Sequence, residues 1–342
     1  MNSTKADENF KAVQQRYRQV KCDGRWWTSD ETRDLIDFSE PSLSDDIVAA
    51  SCSSASYNGP LFTLREYNDG FFFAPNALSK SLQLKLAARC LMSYCEPPHD
   101  TNIDQVPPKV DEVVSGVEID ETTMWERHCR GSTGQNKHYR SIKKLAWATN
   151  GWNYDWTMRK YHEGKISPFP ENLTNLGKIF GGQSFNPQAS IINFYHSKSL
   201  MGGHQDDLEL TFEKPVVSFS MGVPCVFLLG GLTKDEKPTP ILVRPGDVLV
   251  MGGGSRLRFH GMARLLVDCS LPDHVDRTGH DQIDELKDSA ELSQKEEEEV
   301  ERYLKNHRIN INVRQVLPDE GRERESGQMT TEIKKNSDNV TN

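Results

Sequence analysis

The chain has 342 residues, of which 36% are hydrophobic and 27% are charged. This is enough for one large folded domain or two ordinary ones, and no run of about 18 apolar residues indicates a membrane span. The net charge of −9 does not favour a nucleic-acid binder, because phosphate contacts need clustered lysine and arginine.

The hydrophobic pattern predicts helices near the N-terminus and short strands after Ala189. The predicted elements, in chain order, are helices at 5–20, 78–95 and 171–180, strands at 190–195, 215–222, 225–231, 240–244, 247–251, 257–262 and 263–269, a charged helical stretch at 283–306 and a strand at 308–316. Glycine and proline separate these strands at short intervals, which predicts a sandwich or barrel and not a βαβ sheet. The tail from Pro318 is polar, and we expect it to be disordered.

The seven cysteines are scattered and include no C-x-x-C pair, and the first 22 residues lack the apolar core of a secretory signal. This pattern is typical of a reducing compartment. It argues against a disulfide framework and a structural zinc site.

The stretch "MGGHQDDLEL" (201–210) places His204 and Asp206 two residues apart. In extended backbone, side chains two apart point to the same face, so both can reach one metal ion. His260, in the strand-like "RLRFHGM", is the natural third ligand. Two histidines and one carboxylate form the facial triad of non-haem Fe(II) oxygenases. The alternatives are a solvated acidic turn and a packed histidine, and His196 is a rival ligand.

The stretch "RININVRQV" carries Arg308 and Arg314, six residues apart and therefore on one strand face. Arginine suits a dicarboxylate cosubstrate such as 2-oxoglutarate, because its planar fork binds a carboxylate through two hydrogen bonds. The alternative is a polar edge strand.

Together these positions resemble the AlkB family of Fe(II)/2-oxoglutarate dioxygenases. The pattern is N-x-Y-x8-H-x-D, a distant histidine, then R-x-N-x-x-x-R. The surrounding sequence is most similar to the AlkB homologue 1 branch, for example in the segments "PVVSFSMGVPCVFLLGG", "RPGDVLVMGGGSRLRFHG" and "WNYDW". The resemblance covers roughly residues 140–317.

The resemblance implies a mainly β fold with flanking helices, built on a double-stranded β-helix (jelly-roll) core with an N-terminal nucleotide-recognition lid. The expected organisation is an N-terminal helical and loop extension at 1–135, a dioxygenase domain at 136–317 with an acidic insertion at about 270–306, and a disordered tail at 318–342.

The resemblance also implies a set of site residues. It implies iron bound by His204, Asp206 and His260. Arg308 would hold the distal carboxylate of 2-oxoglutarate, and Arg314 would lie near its keto-acid end and orient Asp206. Further residues of the cosubstrate pocket would be Asn193, Tyr195 and Asn310.

The implied activity is oxidative demethylation of methylated nucleobases. The bacterial repair enzyme has an acidic, base-reading residue two after the metal aspartate, where this chain has Leu208. This departure favours N1-methyladenine in tRNA over damaged DNA. Oxidation of 5-methylcytosine in tRNA and demethylation of N6-methyladenine in DNA stay open.

Three aromatic residues, Trp147, Trp152 and Tyr154, lie between the basic stretches 137–144 and 158–165 and are candidate base-stacking residues. A hydrophobic core patch is the alternative. The rival functions are a protein or histone demethylase or hydroxylase with the same metal centre, and an inactive nucleic-acid-binding scaffold. We expect a monomer that binds methylated tRNA or DNA, 2-oxoglutarate and O2 but no membrane. Its expected location is intracellular, in the nucleus, cytoplasm or mitochondrion.

Overall fold

The structure is a computed structural model, and the residues that it describes form several ranges. These are 9–21, 29–41, 44–51, 56–104, 122–131, 140–155, 158, 160–267, 269, 271, 283 and 291–319. Most of the predicted tail at 318–342 and part of the acidic insertion lie outside them. No helix within the described ranges is long and apolar enough to cross a membrane.

Five helices and fourteen strands are described. The helices are α1 (Phe10–Gln19), α2 (Lys80–Met92), α3 (Met124–Cys129), α4 (Glu171–Gly181) and α5 (Gln294–Leu304). The strands are β1 (Ile47–Ala49), β2 (Phe62–Leu64), β3 (Phe71–Ala74), β4 (Asp100–Thr101), β5 (Trp147–Asp155), β6 (Lys160–Ile166), β7 (Ala189–Tyr195), β8 (Met201–His204), β9 (Val216–Gly222), β10 (Cys225–Leu229), β11 (Thr239–Val243), β12 (Val248–Met251), β13 (His260–Leu265) and β14 (Arg308–Arg314).

The last eight strands form a jelly roll. Strands β12, β9, β14 and β7 lie side by side in the larger sheet, and β11, β10, β13 and β8 form the smaller one. The chain crosses repeatedly between the two sheets, which confirms the expected double-stranded β-helix. Strands β1 to β3 extend the larger sheet beyond β12, while β5 and β4 extend it beyond β7. The division at residue 135 stays a prediction.

The alternation of β14 explains how one strand serves both the core and the site. Ile309, Ile311 and Val313 are fully buried and pack in the cluster that includes residues of α2, α4 and α5. Because side chains alternate across a strand, Arg308 and Arg314 lie on the opposite face. That face is turned toward the smaller sheet.

The smaller sheet is covered on its outer side by α1. Phe10, Val13 and Tyr17 pack in one cluster with Val226 and Leu228 of β10. An apolar residue at every third or fourth position gives α1 one buried face. The N-terminal segment is therefore part of the support beneath the strands that carry the site.

Some predicted elements differ from those observed. The predicted strands 257–262 and 263–269 are one strand, β13, because residues before His260 form a 3-10 turn and a loop. Within the predicted helical stretch 283–306, helix α5 begins at Gln294, where Ser293 and Glu296 form a capping box, and residues 284–290 lie outside the described ranges. The hydrophobic pattern does not predict strands β5 and β6, because polar residues interrupt it there.

The cysteines only partly follow the expectation. Four of them, Cys90, Cys95, Cys129 and Cys225, are free thiols. Cys269 is disulfide-bonded, which the scattered spacing does not predict.

Candidate metal centre and adjoining cavities

His204, Asp206 and His260 come together between the two sheets. One ligand atom from each lies within 4.8 Å of the others. His260 begins β13 and stands directly opposite His204, the last residue of β8. The spacing predicts that Asp206 lies with His204 on an extended strand. Instead, Asp206 lies in the loop just past β8 and reaches the cluster from there.

Backbone carbonyls fix the orientation of both imidazoles. Nδ1 of His204 lies 3.0 Å from the carbonyl oxygen of Gly202, and Nδ1 of His260 lies 3.1 Å from that of Arg258. A carbonyl can only accept, so each Nδ1 carries the proton and each Nε2 keeps its lone pair. This is the usual outer support of a metal-binding histidine.

The protonation states also suit a metal. Burial, reinforced by His204, lowers the pKa of His260 to about 4, so this imidazole is neutral at physiological pH. Burial by itself would raise the pKa of Asp206, but Arg314 and the two histidines hold it below its ordinary value. A neutral imidazole and an ionised carboxylate are the forms that bind a divalent cation.

A buried ion-pair network that the sequence does not reveal holds the Asp206 loop. Arg314 Nη2 lies 3.2 Å from Asp206 Oδ2, and Arg314 Nη1 donates to Glu209 Oε1 at 2.8 Å. Arg256 Nη2 donates to the other Glu209 oxygen at 2.9 Å, and Arg256 Nη1 donates to the backbone carbonyl of Asp206 at 2.6 Å. Both oxygens of Glu209 are thus paired with arginine, and the aspartate is held from two sides.

The only sequence signal for this network is the proximity of Glu209 to Asp206 and of Arg256 to His260. Glu209 is 3% exposed and Arg256 is 2% exposed. An acidic side chain is almost never buried to this extent unless it is paired, but the sequence does not say which partner it finds.

Two cavities meet at the cluster. The first cavity lies between the sheets and is lined by the three clustered residues together with Asn193, Tyr195, Arg308 and Asn310. All five predicted cosubstrate residues therefore lie beside the cluster, four in this cavity and Arg314 against Asp206. Asn310 donates its amide to Ser218 Oγ at 2.7 Å and to the carbonyl of Phe219.

Arg308 leaves a donor unused. The residue is 4% exposed, and its Nη2 donates to Ser220 Oγ at 2.8 Å. Its Nη1 is buried and has no hydrogen-bond partner within the described part of the chain. A buried, unpaired guanidinium nitrogen is costly, so the residue fits a carboxylate ligand in this cavity.

The second cavity shares His204 and Asp206 with the first. Its lining includes Tyr154, Tyr161 and Leu208. The two tyrosine rings meet edge to face with centroids 5.4 Å apart. Burial raises the pKa of Tyr161, so its hydroxyl keeps its proton and donates to Glu209 at 3.0 Å.

The predicted base-contacting residues divide into two groups. Tyr154 and Leu208 line the second cavity, and Tyr154 is 6% exposed. Trp147 stands opposite Asn193 on the neighbouring strand, and Trp152 stands opposite Ile166 in the β5–β6 hairpin. Both tryptophans are half-buried and line neither of these two cavities. Their role as stacking residues stays a prediction.

The family model described as the 2OG-Fe(II) oxygenase superfamily matches residues 70–314. The "DNA N(6)-methyladenine demethylase ALKBH1A" of Arabidopsis thaliana is 31% identical over 283 residues, with 76% of this chain and 79% of that protein covered. The "Nucleic acid dioxygenase ALKBH1" of Mus musculus is 34% identical, with 72% of this chain and 64% of that protein covered. The "tRNA demethylase abh1" of Schizosaccharomyces pombe is 28% identical, with 73% of this chain and 80% of that protein covered.

The chain therefore belongs to the 2OG-Fe(II) oxygenase superfamily and, within it, to the AlkB homologue 1 branch. The expected family and the expected enzyme class are confirmed. The expected Fe(II) and 2-oxoglutarate are the metal and cosubstrate of this superfamily, and the His–Asp–His cluster and the free nitrogen of Arg308 fit them.

Proposed function

We propose that this protein is an Fe(II)/2-oxoglutarate-dependent oxidative demethylase of methylated nucleobases in nucleic acid. The observation that carries the proposal is the meeting of two cavities at one metal-binding cluster. One cavity contains an arginine with a spare donor, and the other is lined by tyrosines. The similarity to relatives named as nucleic acid dioxygenase and demethylases supports the same activity.

In this proposal His204, Asp206 and His260 hold the iron. Arg308 binds the distal carboxylate of 2-oxoglutarate, with Asn193, Tyr195 and Asn310 around it. Iron(II) with 2-oxoglutarate and O2 supplies the oxidising power that releases an N-methyl group as formaldehyde, with succinate and CO2 as the other products.

The protein's own groups contribute position and exclude water. Carbonyl oxygens hold both histidine rings with Nε2 toward the metal. Arg314 holds the Asp206 carboxylate, and Arg256 holds the backbone of the same loop. The buried apolar lining of the first cavity, including Leu249 and Met251, limits access of water to the cosubstrate.

For the substrate we propose N1-methyladenine in tRNA. Leu208 lines the second cavity and offers no polar contact to a base edge. A base in an RNA loop costs less to flip than a paired one, and RNA recognition mostly targets such loops. The exposed Lys143 and Lys144 precede Trp147 at the start of β5 and can contact the RNA backbone.

The test compares initial rates of formaldehyde and succinate formation on three substrates at equal salt. These are N1-methyladenine in a tRNA stem-loop, in a linear RNA and in a DNA duplex. We expect the stem-loop to be demethylated fastest, with the Asp206→Ala variant as the inactive control. Faster turnover on the duplex would refute the tRNA assignment, and no turnover on any nucleic acid would refute the demethylase assignment.

A second candidate substrate is N6-methyladenine in DNA, because the Arabidopsis relative carries that activity in its name. The same assay includes an N6-methyladenine duplex and a 5-methylcytosine tRNA as further arms. We propose that the protein acts as a monomer inside the cell, in the nucleus, cytoplasm or mitochondrion, where these nucleic acids occur.

A further inference from the structure

The carboxylate of Asp207 lines the second cavity. Its Oδ1 is shielded from solvent and accepts no hydrogen bond from the described part of the chain. Three neighbouring side chains, those of Glu209, Tyr161 and Gln205, bind other groups. Both oxygens of Glu209 accept from arginines, and the Tyr161 hydroxyl donates to Glu209. Gln205 donates its amide to the carbonyl of Leu257 at 2.6 Å.

The two buried guanidinium groups near Asp207 bind other residues. Three carboxylates, those of Asp206, Asp207 and Glu209, lie near two buried guanidinium groups, those of Arg256 and Arg314. Both guanidinium groups bind Asp206 and Glu209, and the Oδ1 of Asp207 is left without a donor from the described part of the chain. A shielded carboxylate oxygen without a donor favours a ligand that brings a positive charge and a hydrogen-bond donor.

The aromatic lining of the cavity favours the same kind of ligand. Tyr154 and Tyr161 meet at the wall of this cavity, which Asp207 also lines. The face of an aromatic ring attracts a cation, most strongly where water is excluded. Two tyrosines and one carboxylate therefore make a site for a flat cation.

We propose that Asp207 is a specificity-determining residue that selects bases carrying a positive charge on a methylated ring nitrogen. N1-methyladenine and N3-methylcytosine are cations at neutral pH and carry an exocyclic amino donor, whereas N6-methyladenine and 5-methylcytosine are neutral. Demethylation of a cationic base yields the neutral base, so the same carboxylate holds substrate more strongly than product. This inference rests on the proposed function, since it requires a methylated base in the second cavity.

The test uses the isosteric Asp207→Asn variant and a pair of RNA stem-loops of one sequence, carrying either N1-methyladenine or N6-methyladenine. A hydrogen bond to a charged group supports an expected loss of about tenfold or more in kcat/KM on the cationic base. The neutral base should change by less than about threefold, because it brings no charge to the carboxylate. Asp235→Asn is the matched control, since Asp235 is exposed and outside the cavity.

Binding provides a second measurement that does not depend on turnover. Fluorescence anisotropy with Mn(II) and 2-oxoglutarate, without O2, should show weaker binding of the N1-methyladenine RNA to Asp207→Asn than to wild type. Equal losses on both bases, or no loss on the cationic one, would overturn the assignment of Asp207 while leaving the demethylase function in place. A wild-type enzyme that demethylates only neutral bases would overturn it as well. A wild-type enzyme inactive on every nucleic acid would instead overturn the proposed function, and this inference with it.

Discussion

Replacing Arg308 by lysine should weaken 2-oxoglutarate binding while preserving the positive charge. Arg308 uses Nη2 to hold Ser220 and keeps Nη1 unpaired in the first cavity. A planar fork can hold the serine and a carboxylate at fixed angles at once, whereas the lysine ammonium is a single point charge on a flexible stem. The substitution therefore removes at least one charged hydrogen bond to the cosubstrate.

The expected size follows from that lost bond. A hydrogen bond to a charged group contributes about 1.5–3 kcal/mol, and each 1.4 kcal/mol is a factor of about ten in affinity. The KM for 2-oxoglutarate should thus rise about 10- to 100-fold. The kcat at saturating cosubstrate should change much less, because the distal carboxylate is remote from the reacting atoms.

The assay is succinate formation as a function of 2-oxoglutarate concentration, with anaerobic cosubstrate binding measured in parallel. Arg264→Lys is the matched control. Arg264 lies on β13 and donates to backbone carbonyls at the end of α1. The KM of the Arg264→Lys variant for 2-oxoglutarate should therefore be unchanged. An unchanged KM in a folded Arg308→Lys protein would refute the assignment of this residue to the cosubstrate.

Three further outcomes are expected. Asp206→Ala should lose bound iron and all turnover with little change in thermal unfolding, because the arginine beside it keeps its bond to Glu209; full activity with unchanged metal content would contradict the metal assignment. Glu209→Gln should lower the free energy of unfolding by about 3–5 kcal/mol in urea titrations, because it leaves two buried arginines without their charge partner; a loss below about 1 kcal/mol would argue against the network. Arg16 pairs with Asp34 at 2.7 Å, and although burial opposes it this pairing lowers the pKa of Asp34 to about 2. A carboxyl whose pKa is lower in the folded than in the unfolded state stabilises the fold at pH values above its unfolded pKa, and this stabilisation is lost as the pH falls. The free energy of unfolding should therefore drop by on the order of 2 kcal/mol between about pH 5 and pH 2. Asp34→Asn should remove this dependence, and an identical pH profile would contradict it.

The sequence alone predicted which polar residues would come together at the cluster, because most of them lie on strands, where periodicity carries geometric information. In β14, Arg308 and Arg314 alternate with Ile309, Ile311 and Val313. That period of two is enough by itself to place both arginines on one face of the strand. The H-x-D pair and His260 are predicted from the same strand alternation, although Asp206 reaches the site from a loop.

Only the tertiary structure decided what surrounds those residues. Glu209 and Arg256 are 47 positions apart in the chain, and their contact depends on how two irregular loops fold against the sheets. The unpaired Oδ1 of Asp207 is likewise a property of its neighbours and not of its position. Local patterns record which face a side chain takes within one element. The pairing of buried charges depends on contacts between distant loops, and such contacts leave no periodic signal in the sequence.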